Sequence, residues 1–336
     1  MSLPVVIVGA GLSGLVAAQV LVREGLSCVV VDKGRSPGGR LATRRLLGLD
    51  GRTAHLDHGA QFFTVRSPEF GALVAEWSNT GVVSEWCRGF DDQADGFPRY
   101  FAGEGMNSLA KWLARDLDVR CGKQVRSVAG GDGPFGGELS VTDLQNERLV
   151  TTSVLLTAPV PQSLALIDNG WLAVSDNERT GLHAVRYAPC LGLLVTTDRP
   201  TPISVSGGRQ LDESTDPTWS FIGDNMAKGI SAIPAVTFHA NEAASTAWYD
   251  EPPEVIEQNL LVAAQHYLGS ARVVKSEVKK WRYARPTVQH QDRCVITTPI
   301  VGTTLVFAGD AFGEPRVEGA ALSGMAAAAA ILKAVS

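Results

Sequence analysis

Three glycines at a fixed spacing are the first residues in this chain whose types suggest chemistry. Gly9, Gly11 and Gly14 follow the apolar run Val5-Val6-Ile7-Val8, and Asp32 stands 21 residues beyond Gly11. In such a pattern the first glycine makes a tight turn, the second lets a pyrophosphate approach the backbone, and the third lets helix and strand pack closely. The helix that starts there turns free N–H groups and its positive dipole end toward phosphate. Asp32 is placed to accept hydrogen bonds from a ribose diol. A glycine turn that binds nothing is the alternative, and the strand before, helix after and acid beyond weigh against it. Near the other end, Leu305-Val306-Phe307-Ala308 leads into Gly309-Asp310, then Gly319 and an alanine-rich helix. A protein holding only NAD needs the first stretch alone. A C-terminus that returns to supply the second points to FAD.

Between these ends lie further candidates. Gly38-Gly39-Arg40 offers backbone access beside a guanidinium suited to phosphate. Asp310 can bind a polyol hydroxyl, and a helix starting near Gly319 or Ala320 would stabilise negative charge on a reduced redox ring. The arginines Arg35, Arg44 and Arg45 can meet a pyrophosphate or face solvent. His55-x-x-His58 with Asp57 supplies too few ligands for zinc, so no metal is expected.

These motifs need elements to hold them. Val5–Val8, a helix from about Leu12 to Glu24 ended by Gly25, and a strand from Ser27 to Val31 make one βαβ unit. Ser67-Pro68 starts a helix with Phe70, Leu73, Val74 and Trp77 on one face. Met106, Leu109, Ala110, Leu113 and Leu117 mark another. Val119 to Val128 reads as one strand, Gly130 to Gly137 as a turn, and Leu139–Val141 and Val154–Thr157 as strands. From about Pro161 to Arg285 come strand-like runs (Leu191–Thr196, Trp219–Ile222, Ala235–Phe238). One helix interrupts them, carrying Ile256, Leu260, Ala263 and Tyr267, with Gly269 as its stop. The expected fold is α/β: an FAD-binding Rossmann-type domain with an inserted α+β substrate lobe. The FAD-binding domain takes residues 1–65, 105–160 and 286–336, and the lobe takes 66–104 and 161–285.

With 336 residues, 45% of them hydrophobic, the chain can bury a core for two domains, and a net charge of −5 without a basic stripe argues against nucleic acid. The five cysteines are scattered and odd in number, as suits a reduced cytoplasmic compartment. With the first strand starting at Val5, no secretory leader is expected. The apolar run Ala320 to Val335 falls short of the roughly 20 strongly apolar residues of a spanning helix, so no membrane partner is expected.

Together, Gly9-x-Gly11-x-x-Gly14, Asp32-Lys33, Gly38-Gly39-Arg40, Asp57-x-Gly59-Ala60-Gln61-Phe62, Pro159-Val160-Pro161 and Gly309-Asp310 resemble the flavin-containing amine oxidase superfamily. Arg186-Tyr187-Ala188, Leu191-Gly192-Leu193, Phe238-His239 and Lys280-Trp281-Arg282 resemble its renalase-like branch. The resemblance runs over nearly the whole chain and thins between about 195 and 280. It implies an FAD domain of the glutathione-reductase type, a lobe roofed by a sheet, and FAD held without a covalent link. Ser13, Lys33, Gly39, Arg40, Gly59, Ala60, Gln61, Phe62, Val317 and Ala320 would join the glycines and Asp310 around it, and Val125 would pair its backbone with the adenine. The implied reaction takes a hydride from dihydronicotinamides misreduced at ring position 2 or 6 and passes it through flavin to O2, giving NAD(P)+ and H2O2.

Gly313-Glu314-Pro315-Arg316-Val317-Glu318-Gly319 departs from the wider superfamily. It lacks the aromatic or cysteine usually found over the flavin, which weakens an amine substrate. Hydride transfer from a dihydropyridine needs no proton removed, so the site must stack a ring rather than supply a strong base. Pocket candidates are Gln61, Phe62, Tyr100, Arg186, Trp219, Phe221, His239, Trp281 and Arg285. Among them His239, Arg186, Gln61, Trp219 and Trp281 are the expected catalytic set. Core packing is the competing role for the aromatics, and an ion pair for Arg186. Amine oxidation and non-catalytic flavin binding stay open as alternatives.

Overall fold

The computed structural model describes residues 3–90, 95–131 and 137–335. The N-terminal half opens with β1 (Val5–Val8), α1 (Leu12–Arg23) and β2 (Cys28–Asp32), the predicted βαβ unit. A hairpin of β3 (Thr43–Leu47) and β4 (Thr53–Asp57) leads to α2 (Pro68–Asn79), whose N-cap Ser67 accepts from Phe70 N. Then come β5 (Val83–Cys87), β6 (Arg99–Ala102), α3 (Asn107–Ala114), β7 (Asp118–Cys121), β8 (Val125–Gly130), β9 (Leu139–Asp143), β10 (Arg148–Thr151) and β11 (Ser153–Leu156). The strand expected from Val119 to Val128 is therefore two strands in different sheets. Gly122, at φ 74°, breaks it. Part of the turn expected over Gly130–Gly137 lies outside the described residues.

The second half contains α4 (Val160–Asn169), α5 (Asp176–Ala184), β12 (Arg186–Thr197), β13 (Gly208–Gln210), β14 (Trp219–Asp224), β15 (Ala235–Ala240), α6 (Glu242–Trp248) and α7 (Pro253–Leu268). It closes with β16 (Val273–Val288), β17 (Val295–Thr297), β18 (Thr304–Phe307) and α8 (Arg316–Val335).

Two sheets frame the molecule. The first has six strands in the order β17-β18-β11-β1-β2-β7, parallel except for the edge strand β17. Its central strands β18, β11, β1 and β2 are mostly apolar and buried because both faces are covered, whereas the edge strand β7 (Asp118–Cys121) is polar and partly exposed. Helices α1, α3 and α8 pack on one face, and α4 with the β8–β10 sheet packs on the other. Pairing of β18 with β11, beside β1, brings Gly309-Asp310 next to the glycine loop. The second sheet, antiparallel in the order β13-β14-β15-β12-β16, has α6 and α7 on one face. Its other face meets the β3–β4 hairpin through Leu194, Leu46, Ala54 and Leu56.

Helix α8 starts at Arg316, earlier than expected, with Arg316 itself at φ 76°, a strained conformation for a side-chain-bearing residue. By length and composition it is apolar enough to cross a membrane, contrary to the expectation. Its small residues instead seat it on α1: a Cβ on Gly324 would lie 2.3 Å from the Ser13 carbonyl oxygen. Glu318 in its first turn is buried and accepts from the N–H groups of Arg66 and Ser67, tying α8 to the start of α2.

Candidate active site

The glycine loop has the contacts its spacing predicts. Gly9 adopts φ 116°, and a Cβ on Gly14 would lie 2.1 Å from the Gly9 carbonyl oxygen, so only glycine fits there. A Cβ on Gly11 would meet nothing within 4 Å, so that side of the loop is open to a ligand. Gly38 N donates to Ala10 O, which lays Gly38-Gly39 against Gly11. Asp32 organises the same loop, accepting from Ala10 N at 2.7 Å and Gly34 N at 2.6 Å. Each of its oxygens keeps a lone pair for a diol. Lys33 is exposed and bonded to Gln162. Gly122 and Lys123 bond to the Gly34 and Asp32 carbonyls, which places Val125 near this end of the site.

Arg40 joins both ends of the motif set. It forms a forked pair with Asp310 (2.7 and 2.5 Å) and also donates to Tyr283 O. Burial pushes the Asp310 carboxyl up against the opposing pull of Arg40. Gly309 N donates to Ser323 of α8. Ala60 N donates to Arg40 O, and a Cβ on Gly59 would lie 1.9 Å from that oxygen, so Gly59-Ala60 is held against Arg40. Val317 is buried and Ala320 half-buried in the first turns of α8. Arg44 pairs with Glu277 of β16, while Arg45 is exposed beside His55, so of the arginine cluster Arg40 is the one built into the loop.

These residues fit FAD. Ser13 Oγ is buried without a partner, and the N–H groups of Gln61 and Phe62 donate to no acceptor among the described residues. Buried polar groups seldom stay unpaired, so unused donors along a glycine-lined path are what a polar, phosphate-bearing cofactor would satisfy.

Above this path the cleft face of the second sheet carries one cross-strand row: Phe221 opposite His239, His239 opposite Gly192, and Gly192 opposite Lys279. The His239 Nε2 lies 3.3 Å from the His58 carbonyl oxygen, and Trp281 Nε1 donates to that oxygen at 2.8 Å. Trp281 also stacks on the His58 ring at 5.3 Å. Burial holds both imidazoles neutral. It lowers His58 to about 3, aided by Lys279, and His239 to about 4, where the His58 carbonyl works in the opposite direction. Phe62 meets Phe90 at 5.1 Å, Phe221 at 5.7 Å and Trp86 at 6.2 Å, an aromatic wall. Gln61 is buried, its amide donating to Asp57 O.

Other expected pocket residues lie elsewhere. Trp219 is fully buried on the helix face, its indole N–H donating to Ala263 O. A β-bulge between Trp219 and Phe221 is the cause: strand alternation would put both on one face, and the extra residue separates them. Arg186 is exposed and folds back onto the carbonyls of His183 and Val185, a cation at the C-terminus of α5. Arg285 is exposed and paired with Glu242. Tyr100 stacks on Phe63 beside α2. Two residues absent from the expected set stand within the site. His58 is visible in the sequence only as half of a metal-like pair. Lys228 is fully buried and bonds Asp57 at 2.7 Å and Gln61 O at 2.5 Å. Its turn, Asp224-Asn225-Met226-Ala227-Lys228, carries no sequence signal for burial.

The fold and these motifs define a dinucleotide-binding oxidoreductase whose cofactor is FAD. The chain belongs to the flavin containing amine oxidoreductase family, which it matches over residues 84–332, and residues 7–77 match an NAD(P)-binding Rossmann-like domain. It is 47% identical over 73 residues to lysine-specific histone demethylase 1 homolog 1 of Arabidopsis thaliana, covering 21% of this chain and 9% of that protein. It is 44% identical over 62 residues to hydroxyneurosporene desaturase of Rubrivivax gelatinosus, covering 18% and 11%. The matched stretches thus span about a tenth of those relatives. Among solved structures, putrescine oxidase superposes with TM-score 0.72 at 16% identity, covering 99% of each chain. Cyclohexylamine oxidase from Brevibacterium oxydans gives 0.65 at 14%, covering 100% of each. A fatty acid isomerase from P. acnes gives 0.68 at 11%, covering 98% of each. At such identities the likeness is one of fold, and this fold serves more than one chemistry.

Proposed function

We propose that this protein is an FAD-dependent oxidase of misreduced dihydronicotinamides, the 2- or 6-dihydro isomers of NAD(P), with O2 as acceptor and NAD(P)+ and H2O2 as products. The cofactor, bound without a covalent link, supplies a hydride acceptor that oxygen can reoxidise. The observation that carries this reading is the state of the charged groups around the cleft. Asp57 is paired with Lys228, Asp310 with Arg40, and Glu277 with Arg44 and Lys279. His58 and His239 are neutral. The paired carboxylates are not free for an alkylammonium, and the two imidazoles are too weakly basic to take a proton near neutrality. A neutral dihydropyridine needs neither carboxylate nor base, because losing a hydride makes it aromatic with no proton removed. Phe62, Phe221 and Trp281 would hold its ring in plane, and His239 would hydrogen-bond its carboxamide.

A second reading, amine oxidation, draws support from the family and from the named amine oxidases among its structural neighbours. Anaerobic mixing with candidate reductants separates the two. The proposal expects fast bleaching near 450 nm by 2- or 6-dihydronicotinamides and little by 4-dihydro NAD(P)H, putrescine or cyclohexylamine. Bleaching by an amine within one turnover would replace the proposal with the second reading.

A further inference from the structure

Lys228 has no contact with solvent; burial pushes its pKa down, and the Asp57 carboxylate beside it works the other way to keep the ammonium charged. Its ammonium bonds Asp57 Oδ2 at 2.7 Å and the Gln61 carbonyl at 2.5 Å, and lies over the Trp86 ring at 4.9 Å and the Phe101 ring at 5.7 Å. Asp57 is equally buried, and its other oxygen accepts from the Thr43 hydroxyl at 2.6 Å and Met106 N at 2.8 Å. A buried ion pair is an expensive way to stabilise a fold, since apolar residues of similar volume often do as well. What this pair holds is therefore informative.

It holds one peptide. Carbonyl and N–H point in opposite directions across a trans peptide plane. Fixing the Gln61 carbonyl on Lys228 therefore turns the Phe62 N–H away from the lysine, and that N–H meets no acceptor among the described residues. We propose that Lys228 is a positioning residue for the redox centre: anchored on Asp57, it orients and polarises the Gln61–Phe62 peptide, so that the flavin is reduced against an oriented N–H backed by a fixed positive charge. This rests on the reading that Gly59-Ala60-Gln61-Phe62 borders the flavin. A positively polarised donor stabilises the electron-rich reduced ring more than the oxidised one, which raises the reduction potential and favours addition of sulfite, a small anionic probe.

The test compares wild type, K228R, K228M and D57N/K228M, each loaded with FAD. The readouts are thermal stability, FAD content, sulfite dissociation constant and two-electron potential. K228M leaves Asp57 charged and buried and is expected to fold poorly. D57N/K228M removes both charges, while the amide oxygen that D57N introduces still accepts from Thr43 and Met106, so this variant carries the test. The expected result is a folded, FAD-containing double variant with sulfite affinity weakened at least tenfold. Its potential falls correspondingly, about 30 mV per tenfold for a two-electron couple. K228R stays within about twofold of wild type. A folded double variant with wild-type sulfite affinity and potential would overturn the inference and leave the pair a structural tie. Wild-type protein that takes up no FAD is a different failure: it overturns the cofactor reading, and this one with it, before any variant is made.

Discussion

Replacing Gly11 and Gly14 separately should split folding from cofactor binding. A Cβ on Gly14 would lie 2.1 Å from the Gly9 carbonyl oxygen and 3.2 Å from Ile7 Cγ2. Restoring an ordinary contact requires α1 to retreat from β1 by about 1 Å, and overpacking on that scale costs about 1–3 kcal/mol. For a chain of this size that is a fall in melting temperature of about 1.5–4 °C, measured on apoprotein so that ligand linkage does not enter. Gly11 differs. It sits at φ −78°, ψ 177°, which alanine adopts freely, and its Cβ would meet nothing within 4 Å. The cost to the fold is the weaker capping of alanine, below about 1 kcal/mol. That methyl would fill the space the pyrophosphate needs. Gly11→Ala should therefore melt within about 2 °C of wild type yet bind FAD at least tenfold more weakly, as read by absorbance after incubation with FAD and removal of the excess. A folded Gly11→Ala protein with wild-type FAD affinity would refute the account of this loop.

Three further outcomes follow from named contacts. Trp219→Ala should cost about 3–5 kcal/mol by denaturant titration, while Trp219→Phe, if folded, keeps the wild-type rate of flavin reduction, since the ring lies in the lobe core. Arg186→Ala should leave that rate unchanged within twofold, because its guanidinium caps α5; a larger loss would return it to the cleft. Folding stability should fall as pH drops from about 6.5 toward 5. Unfolded histidines gain protons there, while native His58 and His239, lowered to about 3 and about 4, do not, so stability is fully present above the unfolded pKa. The slope should be at most about 1.4 kcal/mol per pH unit per histidine, and a denaturation midpoint flat between pH 7 and 5 contradicts it.

How far the sequence discloses the molecule depends on the range of each signal. The βαβ unit, the Ser67-Pro68 helix start and the pairing of a C-terminal Gly-Asp with an N-terminal glycine loop rest on local rules, and the structure has them. Trp219 departs from its expected place because a bulge shifts strand alternation, and no residue type near Ser220 announces one. Arg186 departs because a guanidinium at a strand's first residue can turn back to a preceding helix end. Lys228 escapes sequence reasoning for a more general reason. Its burial depends on Asp57, 171 positions away, and a lysine in a turn reads as solvated until its partner is located. The lowered pKa of His239 is likewise set by burial against the distant His58 segment rather than by its neighbours in the chain.

The central claim is that one chain grips a single FAD at both of its ends. Titrating purified protein with FAD, removing the excess, and measuring the flavin released by denaturation tests it directly. The account predicts one FAD per chain, all of it freed on unfolding. Protein that stays colourless after exposure to FAD would contradict it.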